Sequence, residues 1–242
     1  LYSMPFRLKK EITIDFGEHL TGYFSFSVRS TGLAADGPLR FKLTFGEVPS
    51  EVAVSFDSYK EGLSRAWLQD EVVSVMYVPQ TVTLPRRLAF RYIKIELLGS
   101  SPYYDFNIHD MKCMAQTSAQ NIPEELPQAV DPMIRKIDRV GLNTLKECMQ
   151  TVYEDGPKRD QRLWIGDLYL EALGNNYSYK QHDLTKRCLY LLAGLSDLNG
   201  YLLATVIENP VPRAQDKQFL YEYALLYNVT LKDYLEATGD ME

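Results

Sequence analysis

The chain has 242 residues, of which 45% are hydrophobic, enough to bury one large core or two modest ones. Its formal net charge of -6, from 26 basic and 32 acidic residues, excludes the clustered positive surface that tracks phosphates, so nucleic acid is not an expected partner. No apolar run approaches the roughly 18 residues that span a bilayer, and the N-terminal LYSMPFRLKKEITIDFG lacks the apolar core of a signal peptide, so no membrane partner is expected.

From residue 10 to 116 the apolar pattern has period two, as in strands with one face on a core and the other in water. Ile12, Ile14 and Phe16 alternate, then Phe24, Phe26 and Val28, then Leu39, Phe41, Leu43 and Phe45. Val73, Val75 and Tyr77 follow, and finally Ile93, Ile95 and Leu97. Gly17, Gly22, Gly32, Gly37, Gly46 and Gly99 punctuate these runs, which predicts an antiparallel β-sandwich; a parallel sheet would need helices between the strands. The section from Ser50 to Gln69 is less regular and reads as a long loop or helical excursion.

The stretch QTSAQNIPEELPQAVDP, polar and with three prolines, marks a domain boundary near residue 118 and a linker over 119–130. Asp131 and Pro132 then supply an N-cap and a first-turn proline, and Met133, Ile137, Val140, Thr144 and Cys148 recur at helical spacing. Further helices are predicted over roughly 163–179, 183–196 and 216–237. In the last of these Phe219, Tyr223, Leu226, Thr230 and Tyr234 form a stripe, and Gly239 suits a left-handed C-cap. Strands, then only helices, make two domains in series: 1–118 and 131–242.

Cys113, Cys148 and Cys188 are too widely spaced for a CxxC motif and read as small buried apolar residues. The three histidines, His19, His109 and His182, have no ligand spacing, so neither a metal nor another cofactor is expected.

The segment DGPKRDQRLWIGD, residues 155–167, packs three carboxylates, three cations and an indole into thirteen positions. With a turn at Asp155-Gly156-Pro157, a helix starting near Asp160 would bring Asp160, Trp164 and Asp167 to one face at i, i+4 and i+7. A carboxyl held beside an indole and near a second carboxylate keeps its proton to higher pH, the requirement for a general acid that protonates a glycosidic oxygen. The plainer reading makes Asp155 and Asp160 caps, Arg159 and Arg162 surface ion-pair partners and Trp164 core.

The same segment resembles the signature of the α-L-rhamnosidases of glycoside hydrolase family 78, roughly D-C/G-x-x-R-D/E-R-L-x-W-x-G-D. ITIDFGEHLTGYFSFSV, LTFGEV and LAFRYIKIEL resemble the sandwich that precedes the catalytic domain in that family, and LKDYLEATGD a recurrent helix end of its toroid. The resemblance implies a multidomain β-then-α chain: an antiparallel β-sandwich followed by the first helices of an (α/α)6 six-hairpin toroid. It implies inverting hydrolysis of terminal α-L-rhamnosides, with a rhamnose-containing oligosaccharide or glycoside as partner and no cofactor. Asp160 would be the general acid, Asp155 and Asp167 would hold sugar hydroxyls, Trp164 would wall the subsite, and Arg159 would hydrogen-bond sugar or a neighbouring carboxylate. An alternative alignment puts Gln161 at the acid position. The general base of the family lies on a later helix, beyond Glu242, so the chain alone is expected to be an inactive part of a periplasmic or secreted polypeptide. A sugar-binding sandwich without catalysis, and a six-hairpin glycosidase of other specificity, are the competing readings.

Overall fold

A computed structural model describes residues 10–31, 37–60, 62, 64–101, 103 and 105–242; Gly32 and the N-terminal stretch 1–9 lie outside them. The chain divides into two units, Leu1–Gln116 and Thr117–Glu242.

The first unit is antiparallel throughout and is organised by one long strand. It holds β1 (Glu11–Ser30), β2 (Leu39–Gly46), β3 (Asp70–Val75), β4 (Gln80–Thr83), β5 (Leu88–Gly99) and β6 (Phe106–Ala115), with a short helix α1 (Pro49–Ala53) after β2. The first half of β1 pairs with β5, which pairs with β2, which pairs with β3. From Gly22 onward β1 instead runs between β4 and β6. A register shift between Asp15 and Leu20, with Gly17 at φ +85°, bends β1 before this change of partners, which is how one strand serves both layers of a sandwich.

The period-two residues point inward. Phe24, Phe26, Phe41, Phe45, Phe90 and Phe106 are fully buried together with Leu39, Leu43, Ile93 and Ile95. The rings pack edge to face, with Phe45 and Phe90 centroids 5.1 Å apart and Phe24 and Phe45 5.5 Å apart. The phenylalanines that the period-two pattern picks out are committed to the core and are not available to stack on sugar. Tyr77 departs from the predicted alternation: β3 stops at Val75, and Tyr77 lies beyond it, 79% exposed. Between β2 and β3 the chain makes α1 and two 3-10 turns, Phe56–Ser58 and Arg65–Trp67. Buried Gln69 ends this excursion by pairing with the backbone of Ala89 through both side-chain amide atoms, at 2.6 and 2.8 Å.

The second unit contains α2 (Pro132–Cys148), β7 (Leu163–Trp164), α3 (Ile165–Tyr177), α4 (His182–Gly194), β8 (Thr205–Ile207), β9 (Arg213–Ala214) and α5 (Tyr221–Thr238). Asp131 caps α2 by accepting a hydrogen bond from Met133 N at 2.7 Å, with Pro132 in the first turn, and Gly239 closes α5 at φ +70°. The core gathers Met149, Tyr153, Leu163, Ile165, Leu168, Cys188, Leu192 and Tyr234. Cys148 and Cys188 are buried, while Cys113 on β6 is half-buried; none of the three is in a disulfide.

Three features differ from the sequence reading. Short strands return inside the helical unit, where β7, β8 and β9 form a small antiparallel sheet. The Met133, Ile137, Val140 stripe of α2 faces outward, each residue more than half exposed, and burial along that helix is confined to Glu147 and Cys148 at its end. An exposed apolar row of this kind marks a surface that suits cover by another element. The third difference concerns the start of α3 and governs the site. Among the described residues no helix is long and apolar enough to cross a membrane.

Candidate active site

The segment of residues 155–167 emerges from a tightly held base. A β-bridge joins Met149 to Tyr153, whose fully buried ring places its hydroxyl 3.1 Å from the Thr185 hydroxyl, and Glu154 N donates to Cys148 O. The chain then makes a closed loop. Asp155 N donates to Arg162 O at 3.0 Å while Asp155 Oδ1 accepts from Arg162 N at 3.1 Å, so one residue pair fastens both ends. Inside the loop Gln161 N donates to Gly156 O at 3.2 Å and Gln161 Nε2 to Pro157 O at 2.7 Å. Arg162 reaches Gln215 Oε1 at 2.9 Å, tying the loop to the segment after β9.

Asp160 does not start a helix. Asp160 and Gln161 both sit in the left-handed region, at φ +64° and +52°, and Leu163 and Trp164 pair with Val206 and Thr205 of β8. The strand pairing takes up the backbone groups that a helix through 160–164 would use, so α3 begins only at Ile165, with Trp164 as its N-cap residue. The predicted i, i+4, i+7 face of Asp160, Trp164 and Asp167 is therefore absent. The closed loop and the first turn of α3 instead bring Asp160 and Asp167 each close enough to Asp155 to repel its charge. Consecutive left-handed residues without glycine are costly, and such strain is found preferentially where side chains must be aimed.

The placement of each predicted residue follows. The Asp160 side chain is 21% exposed, with Arg159 Nε 3.7 Å from Oδ1; Arg159 itself is half exposed. Asp155 and Asp167 are half-buried. Trp164 packs edge-on against Tyr223, centroids 6.5 Å apart at 89°. Its indole Nε1 is sealed from solvent and has no hydrogen-bond partner among the described residues.

The charges are crowded. Burial lifts the Asp155 carboxyl to about 6, opposed by the Arg162 N–H and reinforced by repulsion from Asp160, Asp167 and Glu154. Burial also raises Asp167, on the first turn of α3. One turn further along the helix, Glu171 is pushed well above the carboxylate range, first by burial, then by Asp167. The thiol of Cys148 hydrogen-bonds Glu171, and Glu171 Oε2 is sealed without a partner among the described residues. Glu154 and Glu171 were not singled out from the sequence. Glu171 sits four residues after Asp167, so the helical period carried a signal for it, whereas Glu154 carried none beyond adjacency.

These shifts set a pH dependence. Asp155, Asp167 and Glu171 all hold protons more tightly folded than unfolded, so the folded unit binds more protons between pH 4 and its own raised pKa values. Stability is thus greatest below about pH 4 from these groups and is lost as pH rises. For Asp155 alone, about 6 against 3.8 corresponds to about 3 kcal/mol, which solvent screening at a half-buried site reduces to about 1–2 kcal/mol. Urea titrations at pH 5 and pH 7.5 are expected to show this loss, and Glu171→Gln is expected to recover part of it at pH 7.5 while changing little at pH 4.5. A Glu171→Gln effect equal at both pH values would remove ionisation as the cause.

Among the described residues no group of three or more His, Cys, Asp or Glu side chains is arranged to hold a metal ion. The chemistry offered is that of crowded carboxyls with raised proton affinity.

Comparison with known proteins finds two family models. Residues 1–115 match the glycosyl hydrolase family 78 alpha-rhamnosidase N-terminal domain, and residues 128–241 match the bacterial alpha-L-rhamnosidase six-hairpin glycosidase domain. Among solved structures, a rhamnosidase from Klebsiella oxytoca with rhamnose bound is 42% identical, with a TM-score of 0.91 over 96% of this chain. A family 78 rhamnosidase of Bacillus sp. GL1 is 20% identical, with a TM-score of 0.69 over 95% of this chain, and shows the fold alone. The chain spans 45% of the Klebsiella protein and 22% of the Bacillus one. No curated protein matches. With one family's sandwich model on the first unit and its toroid model on the second, the chain belongs to glycoside hydrolase family 78, the α-L-rhamnosidases.

Proposed function

We propose that this chain supplies the acid half of an inverting glycoside hydrolase acting on terminal α-L-rhamnosides. The observation that carries the reading is the loop of residues 155–162: a strained, doubly fastened turn that crowds Asp155 with Asp160 and Asp167 just ahead of Trp164, in a chain 42% identical to a rhamnosidase with rhamnose bound.

Asp160 is the proposed general acid. The competing position, Gln161, has its amide spent on Pro157 O within the loop, which leaves Asp160, paired only loosely with Arg159, as the acid-bearing side chain at the loop's strained corner. Arg159, 3.7 Å from Asp160, would hold that carboxyl in place and return its charge to balance after proton transfer. Asp155 and Asp167, crowded and half-buried, would accept hydrogen bonds from sugar hydroxyls, with Trp164 packing on the apolar face of the ring. Inversion requires a second carboxylate about 6.5–9.5 Å from the acid to activate water. We assign it to the part of the fold that the Klebsiella protein has beyond the 45% matched here.

The test uses the full-length protein that contains this chain. With an aryl α-L-rhamnoside, proton NMR of the first sugar released should show the β anomer before mutarotation. Release of the α anomer first would exclude inversion, and no release from any α-L-rhamnoside would exclude the substrate class.

A further inference from the structure

The indole of Trp164 is a large ring whose N–H has no hydrogen-bond partner among the described residues, so no hydrogen bond sets its orientation. What touches its edge is Tyr223, in the first turn of α5 and far from the loop in sequence. The tyrosine fits there because residue 166 is glycine. A Cβ on Gly166 would stand 2.5 Å from Tyr223 Cζ and 2.7 Å from both Cε1 and the hydroxyl oxygen, closer than any real side chain allows. The phenol therefore lies against Gly166 at the start of α3, beside Trp164. Burial raises its pKa, followed by the negative charge of Asp167 and then Glu222 and Asp155, so it stays a neutral O–H across the working range.

We propose that Tyr223 is the positioning residue of the sugar subsite: its ring, admitted by Gly166, fixes the Trp164 indole against which the sugar packs. The proposal rests on the reading of this loop as the rhamnoside site. It also explains the glycine of the LWIGD segment, for which neither a left-handed backbone nor a turn is responsible: Gly166 is an ordinary helical residue whose missing side chain leaves room for a ring.

The experiment uses the full-length protein and steady-state kinetics on an α-L-rhamnoside. Tyr223→Phe keeps the edge contact and should leave KM within twofold of wild type. Tyr223→Leu removes it and should raise KM about tenfold, the upper end of what an aromatic pair contributes, with a smaller change in kcat. Gly166→Ala displaces the ring without deleting it and should raise KM similarly. The double variant Gly166→Ala with Tyr223→Leu should be no worse than Tyr223→Leu alone, because the new methyl group occupies space the ring has vacated. Should Tyr223→Leu fail to fold, Gly166→Ala carries the same test.

A wild-type KM for both Tyr223→Leu and Gly166→Ala overturns the proposal while leaving the hydrolase reading intact. Additive losses in the double variant also overturn it, since they place the two residues in separate roles. A wild-type protein that neither hydrolyses nor binds α-L-rhamnosides overturns the functional reading, and this inference with it.

Discussion

Replacing Asp160 by Asn in the full-length protein is expected to lower kcat on a rhamnoside with an alcohol or sugar leaving group by at least about 100-fold, the low end of general acid catalysis. The substitution keeps volume and hydrogen-bonding shape, so the loop fastened by Asp155 and Arg162 should close as before. In the proposed role, what it removes is the proton delivered to the departing oxygen. A leaving group that is itself a strong acid, such as a nitrophenol, departs without that proton, so the loss on a nitrophenyl rhamnoside should be much smaller. This inequality between leaving groups separates a general acid from a residue that merely binds sugar, whose removal would weaken both substrates alike. Gln161→Glu supplies the control. A glutamate there cannot donate to Pro157 O when ionised, so it should cost activity, whereas a rise in turnover would move the acid role from Asp160 to residue 161. Equal losses on both leaving groups would remove Asp160 from proton transfer.

Much of the fold was legible because it is written in long periods. Phe24 to Val28 and Leu39 to Phe45 alternate over whole strands, and their inward faces are the core of the sandwich. Asp131-Pro132 and Gly239 mark their helix ends by chemistry that acts within one turn, and the irregular composition after Ser50 corresponds to α1 and two 3-10 turns. The helical unit was less legible where its structure is short or relational. β7 and β9 have two residues each and β8 three, too few to show a period. Their pairing nonetheless decides that Trp164 is extended and that α3 starts at Ile165. The stripe of α2 has the right spacing for a buried face but is exposed, because periodicity reports that a face is apolar and not what covers it. At the site the charged loop residues are contiguous in sequence and could be grouped from it. Tyr223 could not, since it meets Gly166 and Trp164 only through the packing of α5 on α3.

The largest structural effect is expected at Gly22, for which Gly22→Ala should destabilise the sandwich by about 3 kcal/mol, at the top of the range for forced overpacking. Gly22 is the point where β1 exchanges partners: it faces Leu88 of β5 and Ala115 of β6 at once. A Cβ there would stand 2.2 Å from Met114 O and 2.8 Å from Ala115 Cα. Those atoms are backbone, and β6 cannot yield by rotating a side chain. It is held by pairing with β1 along Phe24 to Ser30, and just past its end by Gln116 N donating to Thr21 O at 2.8 Å. Relief must come from separating two strands over the buried Phe24, so the cost includes hydrogen bonds and packing together. The contrast is Gly99→Ala at the end of β5, where an added Cβ meets nothing within 4 Å and the change should stay within about 0.5 kcal/mol. In thermal melts the two variants should differ by about 10 °C. Midpoints within a degree or two of each other would mean that β1 and β6 do not approach as closely at Gly22 as described, and that the strand changes sheets elsewhere.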